Sequence, residues 1–311
     1  NFIPILLHIY NFCYSGIKMK IRYSLLVVLL CIQAALPQEK STSEFEFIPS
    51  GLNFMPLKAN HQESRIGVLY YTSNANLKVD IGNSIDLAGL NFTKSGARLT
   101  AGVEFTAYAL STSYKGNRLQ IDAVDGFFGG NVAYSLPLEK DLTSRLLARL
   151  RIMHNSAHFV DGHYDMSTKQ WINNLEPIPY TEDYGELTVA HELSSSCYVF
   201  RYYGGALYST LVRPSSIKRY NAQAGFEFAL TDFPGKIAGK DGNLFAAFFV
   251  TTDGADKYIV DQNTMLGIKY GSWNGKGILL YTSYYTGGDI FGAYFKRRIS
   301  KFGIGFSVDF F

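Results

Sequence analysis

The sequence predicts an all-β protein, an antiparallel transmembrane β-barrel of about 12 strands that follows a short irregular N-terminal segment. The chain of 311 residues is 15% aromatic and, past its first 37 residues, has no apolar run long enough to span a bilayer as a helix. Its last twelve residues also alternate as a strand does when one face is apolar and the other is small or polar. The apolar row of this final strand consists of Phe302, Ile304, Phe306, Val308 and Phe310.

Alternating runs separated by turn-forming dipeptides such as Ser73-Asn74 and Asp125-Gly126 predict the remaining strands. The fourth run is either one long strand or two. An even number is expected for an antiparallel barrel whose two ends lie on the same side of the membrane. The predicted strands are 65–72, 77–86, 98–110, 119–136, 142–156, 183–193, 197–209, 220–231, 243–252, 261–271, 277–286 and 299–311.

The two faces of each predicted strand differ in chemistry. In the fifth strand, every second residue forms an apolar row, namely Leu146, Ala148, Leu150 and Ile152. Arg145, Arg149 and Arg151 lie on the opposite face. Turning an arginine to lipid costs about 2–4 kcal/mol at the midplane, so the arginines are expected inside. Charges of both signs then favour a lumen filled by side-chain pairs over a wide pore. Residues expected at the membrane interfaces are Tyr70, Tyr71, Tyr202, Tyr203, Tyr208, Tyr284 and Tyr285.

The beginning of the chain has the layout of a secretory signal peptide. A basic start at Met19 to Arg22 precedes an apolar run of eight residues and the small residues Ala34 and Ala35. The predicted organisation is an upstream extension at 1–18, a signal peptide at 19–37, an irregular segment at 38–64 and the barrel at 65–311. The irregular segment leads into the barrel or enters its mouth. Cleavage would leave Cys197 without an internal disulfide partner.

Three stretches after the predicted leader are informative, namely Phe47-Ile48-Pro49-Ser50-Gly51-Leu52, Pro56-Leu57-Lys58-Ala59-Asn60 and Glu63-Ser64-Arg65. They resemble the opening of a family of bacterial outer-membrane proteins catalogued as domain of unknown function 1207. The last strand similarly resembles the carboxy-terminal assembly signal of outer-membrane barrels. These resemblances imply a place in the bacterial outer membrane, contact with its lipids and insertion by the barrel assembly machinery through the C-terminal strand. They imply no particular activity.

One group of polar residues extends the outward row of the fifth strand, where His154, Ser156 and His158 follow Ile152. Residues two apart on a strand share a face at about 7 Å, which lets an imidazole reach a hydroxyl. A histidine that accepts the serine proton makes a minimal activated nucleophile and needs a third group to orient its ring. Asp183, outward on the sixth strand, is the candidate for that group, and Glu182 and Glu186 are weaker ones.

The His154-x-Ser156 pair resembles the motif of outer-membrane phospholipase A and of the outer-membrane lipid A deacylases. This resemblance implies that His154 is the base and that Ser156 attacks a lipid ester at the membrane surface. The match covers those two positions only. The phospholipase has an asparagine as its third member, and no asparagine has the matching parity on the sixth strand here. No calcium ligand set carries over.

Other interpretations of the same residues remain open. A strand that ends at a membrane interface normally turns polar, so the histidines and the serine need no catalytic role. A metal site made by His154, His158, Asp161 and His163 is a further alternative, but no metal or cofactor is predicted. A net charge of +3 without a basic stripe does not favour nucleic acid. The functions that remain are an outer-membrane barrel of uncharacterised activity, a lipid ester hydrolase, and a narrow channel or transport component.

Overall fold

The computed structural model describes residues 43–114, 117–139, 143–159, 164–171, 176 and 178–311. The predicted upstream extension and signal peptide lie outside these ranges. Nowhere in the described ranges is there a helix of the length and apolarity that a membrane crossing needs. Cys197 is an exposed free thiol.

Most of the described residues lie in β-strands. A single short 3-10 helix, Gly292–Tyr294, interrupts the last connection. The strands are β1 Ser43–Phe47, β2 Ile66–Tyr71, β3 Asn76–Phe92, β4 Ala97–Tyr114, β5 Asn117–Pro137, β6 Ser144–Phe159, β7 Tyr164–Asp165, β8 Gln170–Trp171, β9 Thr181–Ser194, β10 Tyr198–Arg213, β11 Tyr220–Ile237, β12 Lys240–Asp253, β13 Ile259–Gly271, β14 Gly277–Gly288 and β15 Arg298–Asp309.

Twelve of these strands close into an antiparallel barrel, which confirms the predicted fold and strand number. Neighbours pair in chain order, β6 pairs with β9 past the small β7–β8 hairpin, and β15 pairs back onto β2. The run predicted as one strand or two is the single strand β5. The Asp125-Gly126 dipeptide lies inside that strand and not at a turn, because both residues pair with β4 and β6.

The two ends of the barrel differ in their connections. The end that holds the C-terminus has short turns, such as 93–96 and 195–197, and is called the proximal end here. The opposite, distal end carries the longer connections from β6 to β9 and from β14 to β15, beside short turns such as 72–75. In outer-membrane barrels, short turns face the periplasm and longer loops face outward.

The alternation within each strand sorts side chains between the outer wall and the lumen. On β15, Phe302, Ile304 and Phe306 are 43%, 54% and 44% exposed on the outside. Arg149 and Arg151 of β6 are 3% and 0% exposed and face the lumen, as expected from the cost of turning them to lipid.

The paired tyrosines are divided by the same alternation. Tyr70, Tyr202 and Tyr284 lie on the outer wall, where interfacial residues are expected. The prediction is wrong for their chain neighbours, because adjacent residues on a strand point to opposite faces. The tyrosines that lie buried inside are Tyr71, Tyr203 and Tyr285.

The segment between β1 and β2, residues 48–65, forms a plug inside the barrel. β1 pairs with β3 from Phe92 to Ala88, and β2 pairs with the same edge of β3 from Asp80 to Asn76. Between these two contacts the chain leaves the wall, enters the lumen and returns. Phe54, Leu57 and Ala59 of the plug are buried there. The part of the chain expected to be irregular thus begins with a short strand and continues as the plug.

An ionic cluster ties the plug to β6. Arg149 donates from Nη1 to Glu63 Oε2 at 2.9 Å, and Glu63 itself is 1% exposed. Arg151 lies beside this pair and contacts Glu104 at 3.0 Å and Glu186 at 3.4 Å. A buried carboxylate is tolerated when charge and hydrogen bonds compensate for its lost hydration.

Further ties connect the plug to strands on other sides of the wall. Lys58 Nζ donates to Asp309 Oδ2 at 2.9 Å on β15. Arg201 of β10 donates to the main-chain oxygens of Met55 and Pro56 at 2.9 and 3.2 Å. Asn263 of β13 donates to the Ala59 oxygen at 2.8 Å. The plug is therefore held across the whole section of the lumen that it occupies.

Two plug residues have displaced pKa values. Burial by itself would raise the pKa of Glu63, but the guanidinium groups of Arg149 and Arg151 outweigh burial and lower it to about 2. Burial lowers the pKa of His61 to about 3, and the charges of Lys78 and Arg65 act in the same direction. Near neutral pH, Glu63 is therefore ionised and His61 is uncharged.

Substituting Glu63→Gln should destabilise the protein by about 3 kcal/mol, because it leaves buried arginine charge without its carboxylate. Urea unfolding of the protein refolded into lipid vesicles measures this change. Glu46→Gln is the matched control, since Glu46 is a partly exposed partner of Arg98 at 3.6 Å and surface pairs contribute about 0–1 kcal/mol. Equal effects of the two substitutions would contradict a plug held by the ionic cluster.

Acidification should weaken the folded protein through His61. Because the pKa of His61 is about 3 when folded and 6.5 ordinarily, the unfolded chain binds the proton first as pH falls. The contribution of His61 is complete above about pH 6.5 and declines toward pH 3, by at most about 1.4 kcal/mol per pH unit. The contribution of Glu63 to stability is lost at lower pH, between about pH 4.5 and 2.

Thermal unfolding midpoints recorded as a function of pH test this assignment. His61→Gln should flatten the dependence between pH 6.5 and 4.5 and leave the lower region in place. An unchanged slope in the His61→Gln protein would mean that another group titrates.

Candidate functional site

The outer wall carries a polar row at the distal part of β6. His154, Ser156 and His158 lie on the same outward face as Ile152, which is 69% exposed. The intervening residue Asn155 is buried on the lumen side. The row lies next to the long connection from β6 to β9, away from the C-terminus. An apolar outer face thus turns polar toward the distal rim.

His154 is held by groups on both neighbouring strands. It lies opposite Asp183 in the β6–β9 register, and its Nδ1 is 2.6 Å from Asp183 Oδ1. On the other side, the Phe128 ring of β5 packs against the imidazole with 4.8 Å between ring centroids. A carboxylate accepts hydrogen bonds only, so Nδ1 carries the proton and the uncharged ring has Nε2 as its acceptor.

Ser156 has a different partner from the one expected. Its Oγ lies 2.9 Å from His158 Nε2, and the described residues include no hydrogen bond between Ser156 and His154. Both histidines flank the serine at the same spacing of two residues, so strand geometry alone does not choose between them. In this conformation His154 is engaged by Asp183, while the serine is engaged by His158.

The weaker candidates for an orienting group, Glu182 and Glu186, face the lumen, because they have the opposite parity to Asp183 on β9. Glu182 accepts a hydrogen bond from Tyr180 at 2.9 Å, and Glu186 contacts Arg151. Neither side chain shares the outer face with His154.

The alternative metal site is only partly described. Asp161 and His163 lie outside the described residues. In the ranges that the structure does cover, no three His, Cys, Asp or Glu side chains are grouped to hold a metal ion.

A cavity in the distal lumen was missed by sequence reasoning. Asn60, His61 and Gln62 of the plug line it from below, and inward side chains of the wall surround it. It is lined by carboxylates, and one of them belongs to the Asp125-Gly126 dipeptide that looked like a turn. The signal that would have located Asp125 is its alternation with its neighbours in β5. The carboxylates are Asp125, Glu182, Asp253, Asp261 and Asp289.

Comparison with solved structures finds barrels of low similarity, among them the following two. One is the β domain of the Bordetella autotransporter Brka, with 13% identity and a TM-score of 0.39 over 78% of this chain and 96% of that chain. The other is OmpT, an outer membrane protein of Vibrio cholerae folded in vitro, with 15% identity and a TM-score of 0.32 over 88% and 98%. No curated protein matches the chain.

The resemblance of His154-x-Ser156 to outer-membrane phospholipase A remains a prediction. The family resemblance seen at 47–65 extends much further, since one family model matches residues 32–310. The chain therefore belongs to the family described as protein of unknown function (DUF1207).

Proposed function

We propose that this protein is a bacterial outer-membrane lipid ester hydrolase that works on the outside of its own barrel wall. The observation that carries the proposal is the 2.6 Å hydrogen bond between His154 and Asp183 on the outward row that also holds Ser156. An aspartate that fixes the tautomer of a histidine beside a serine is the arrangement that activates a hydroxyl for acyl transfer.

Each residue has one role in the reaction. Ser156 Oγ attacks the ester carbonyl while its proton passes to His154 Nε2, and the same proton then goes to the departing alcohol. Water attacks the acyl-serine, gives a proton to His154 and releases the fatty acid, after which His154 returns the proton to Ser156. Asp183 keeps Nδ1 protonated and stabilises the imidazolium that forms in each half of the cycle.

The hydrogen bond between Ser156 and His158 fits a resting conformation. Because His154 and His158 flank the serine symmetrically along β6, rotation about the serine Cα–Cβ bond exchanges one partner for the other. His158 thus holds the hydroxyl between turnovers, and His154 accepts its proton when the serine turns toward it.

The surroundings of the row favour a lipid substrate. Ile152 and Phe128 are 69% and 55% exposed on the outer wall next to His154, and Leu187, opposite Leu150 on the same wall, is 50% exposed. Apolar side chains of this kind lie against acyl chains in a bilayer, and an outer wall is expected to turn polar near the level of the lipid ester groups. The outward apolar face of β15 likewise supports insertion by the barrel assembly machinery through that strand.

Substituting Ser156→Ala should abolish hydrolysis of phospholipid or lipid A by the refolded protein, and His154→Ala should reduce it about 10²–10⁴-fold. His158→Ala should retain activity within about tenfold, since His158 only holds the resting serine. Release of fatty acid from mixed micelles is the measurement. Ser300→Ala is the matched control, because Ser300 is also exposed on the outer wall and bonds Tyr284 at 2.9 Å.

Two results would overturn the assignment. Equal hydrolysis by wild type and Ser156→Ala, or none by either, rules out the serine as a nucleophile. A greater loss in His158→Ala than in His154→Ala moves the base to His158 and removes Asp183 from the reaction.

A channel is the less favoured function, because the plug and its ion pairs cross the lumen. In planar bilayers the wild-type protein should show no steady conductance of the size of a water-filled porin. Glu63→Gln, which weakens the tie to Arg149, should produce brief openings. A large, stable conductance in wild type would favour transport over hydrolysis.

A further inference from the structure

We infer that the distal cavity inside the barrel is a binding site for a small organic cation of the protonated-amine class. The site lies inside the barrel and shares no residue with the polar row of the outer wall. It therefore stands independently of the proposed hydrolase.

The charge of the cavity is unbalanced. Of its five carboxylates, Asp289 is paired with Arg297, whose Nε lies 2.6 Å from Asp289 Oδ2. Among the described residues, the other four carboxylates form no ion pair with lysine or arginine and accept only uncharged donors. Asp125, Asp253 and Asp261 accept from the main-chain nitrogens of Gly292, Gly254 and Gly288 at 2.8, 2.6 and 2.8 Å, and Glu182 accepts from Tyr180.

The lumen around the plug is arranged differently. There Glu63, Glu104 and Glu186 contact arginines, and Asp309 contacts two lysines. The contrast matters because an enclosed carboxylate needs a cationic partner to offset its lost hydration. The plug region contains its own partners, whereas the four cavity carboxylates either stay protonated or take a cation from outside the chain.

Two buried acceptor atoms point to the same kind of ligand. Asp125 and Asn155 both line the cavity and are 1% and 3% exposed. Asp125 Oδ1 and Asn155 Oδ1 make no hydrogen bond within the described protein. Buried polar atoms are nearly always satisfied, so acceptors of this kind call for a donor supplied by a ligand or by water. His61, which is uncharged, does not neutralise them.

The rest of the lining favours an ammonium group over a bare metal ion. Tyr108, Tyr285 and Phe249 contribute rings, and the face of an aromatic ring attracts an alkylammonium cation. The carboxylates are spread around the wall, and the described residues include no metal-binding cluster. The volume of the cavity is about 70 Å³, which suits a short aliphatic amine.

The test uses 1,4-diaminobutane as the probe, titrated calorimetrically into the full protein refolded in a zwitterionic detergent. Saturable binding is expected for the diamine and none for 1,4-butanediol, which has the same length without charge. Asp125→Asn should weaken binding at least about tenfold. The substituted side chain still offers an oxygen to the Gly292 nitrogen, so the fold is preserved.

Asp241→Asn is the matched control, because Asp241 is an exposed carboxylate at the proximal end and carries the same charge. The affinity of the Asp241→Asn protein for the diamine should equal that of wild type. If Asp125→Asn fails to fold, Asp261→Asn takes its place with the same expectation. Three results would each overturn the assignment: equal weakening by Asp125→Asn and by the control Asp241→Asn, absence of saturable binding, or binding of Mg²⁺ in place of the diamine.

Discussion

The pairing of β15 with β2 is the contact on which the whole structure depends, because it removes the free edges of the sheet. Lipid offers no hydrogen-bond partner to a bare strand edge, so a sheet in a membrane is stable only when it is closed. Closure also gives every strand an inside and an outside. Arg151 and Ile152 are adjacent in the chain, yet they are 0% and 69% exposed.

Electrostatics divides the interior that closure creates into two zones. Around the plug, carboxylates and cations of the chain compensate each other, and Glu63, Arg149 and Arg151 form one buried cluster. Toward the distal end, the carboxylates have main-chain and hydroxyl donors but few cations. The plug is the boundary between these zones, since Lys58 contributes to the first and His61 faces the second.

Much of the wall could be predicted because the pattern that defines it is local. Period-two alternation and turn residues located all twelve strands, and the cost of an arginine in lipid fixed the register of β6. The plug contacts were beyond such reasoning, since Glu63 and Arg149 are 86 residues apart. Sequence parity placed His154 and Asp183 on the outer wall, but it could not decide which histidine engages Ser156. That choice depends on side-chain rotamers and on Phe128, a residue of another strand.

The route of the plug has a mechanical consequence. A terminal tail can slide out of a barrel through its mouth without disturbing the sheet. Residues 48–65 form a loop anchored at both ends, by β1 and by β2, along one edge of β3. The β1 anchor has five residue pairs and the β2 strand is also held by β15, so β1 is the anchor that separates first under load. Only after that separation is the plug free at one end, so its complete withdrawal from the lumen requires the detachment of Ser43–Phe47 from β3.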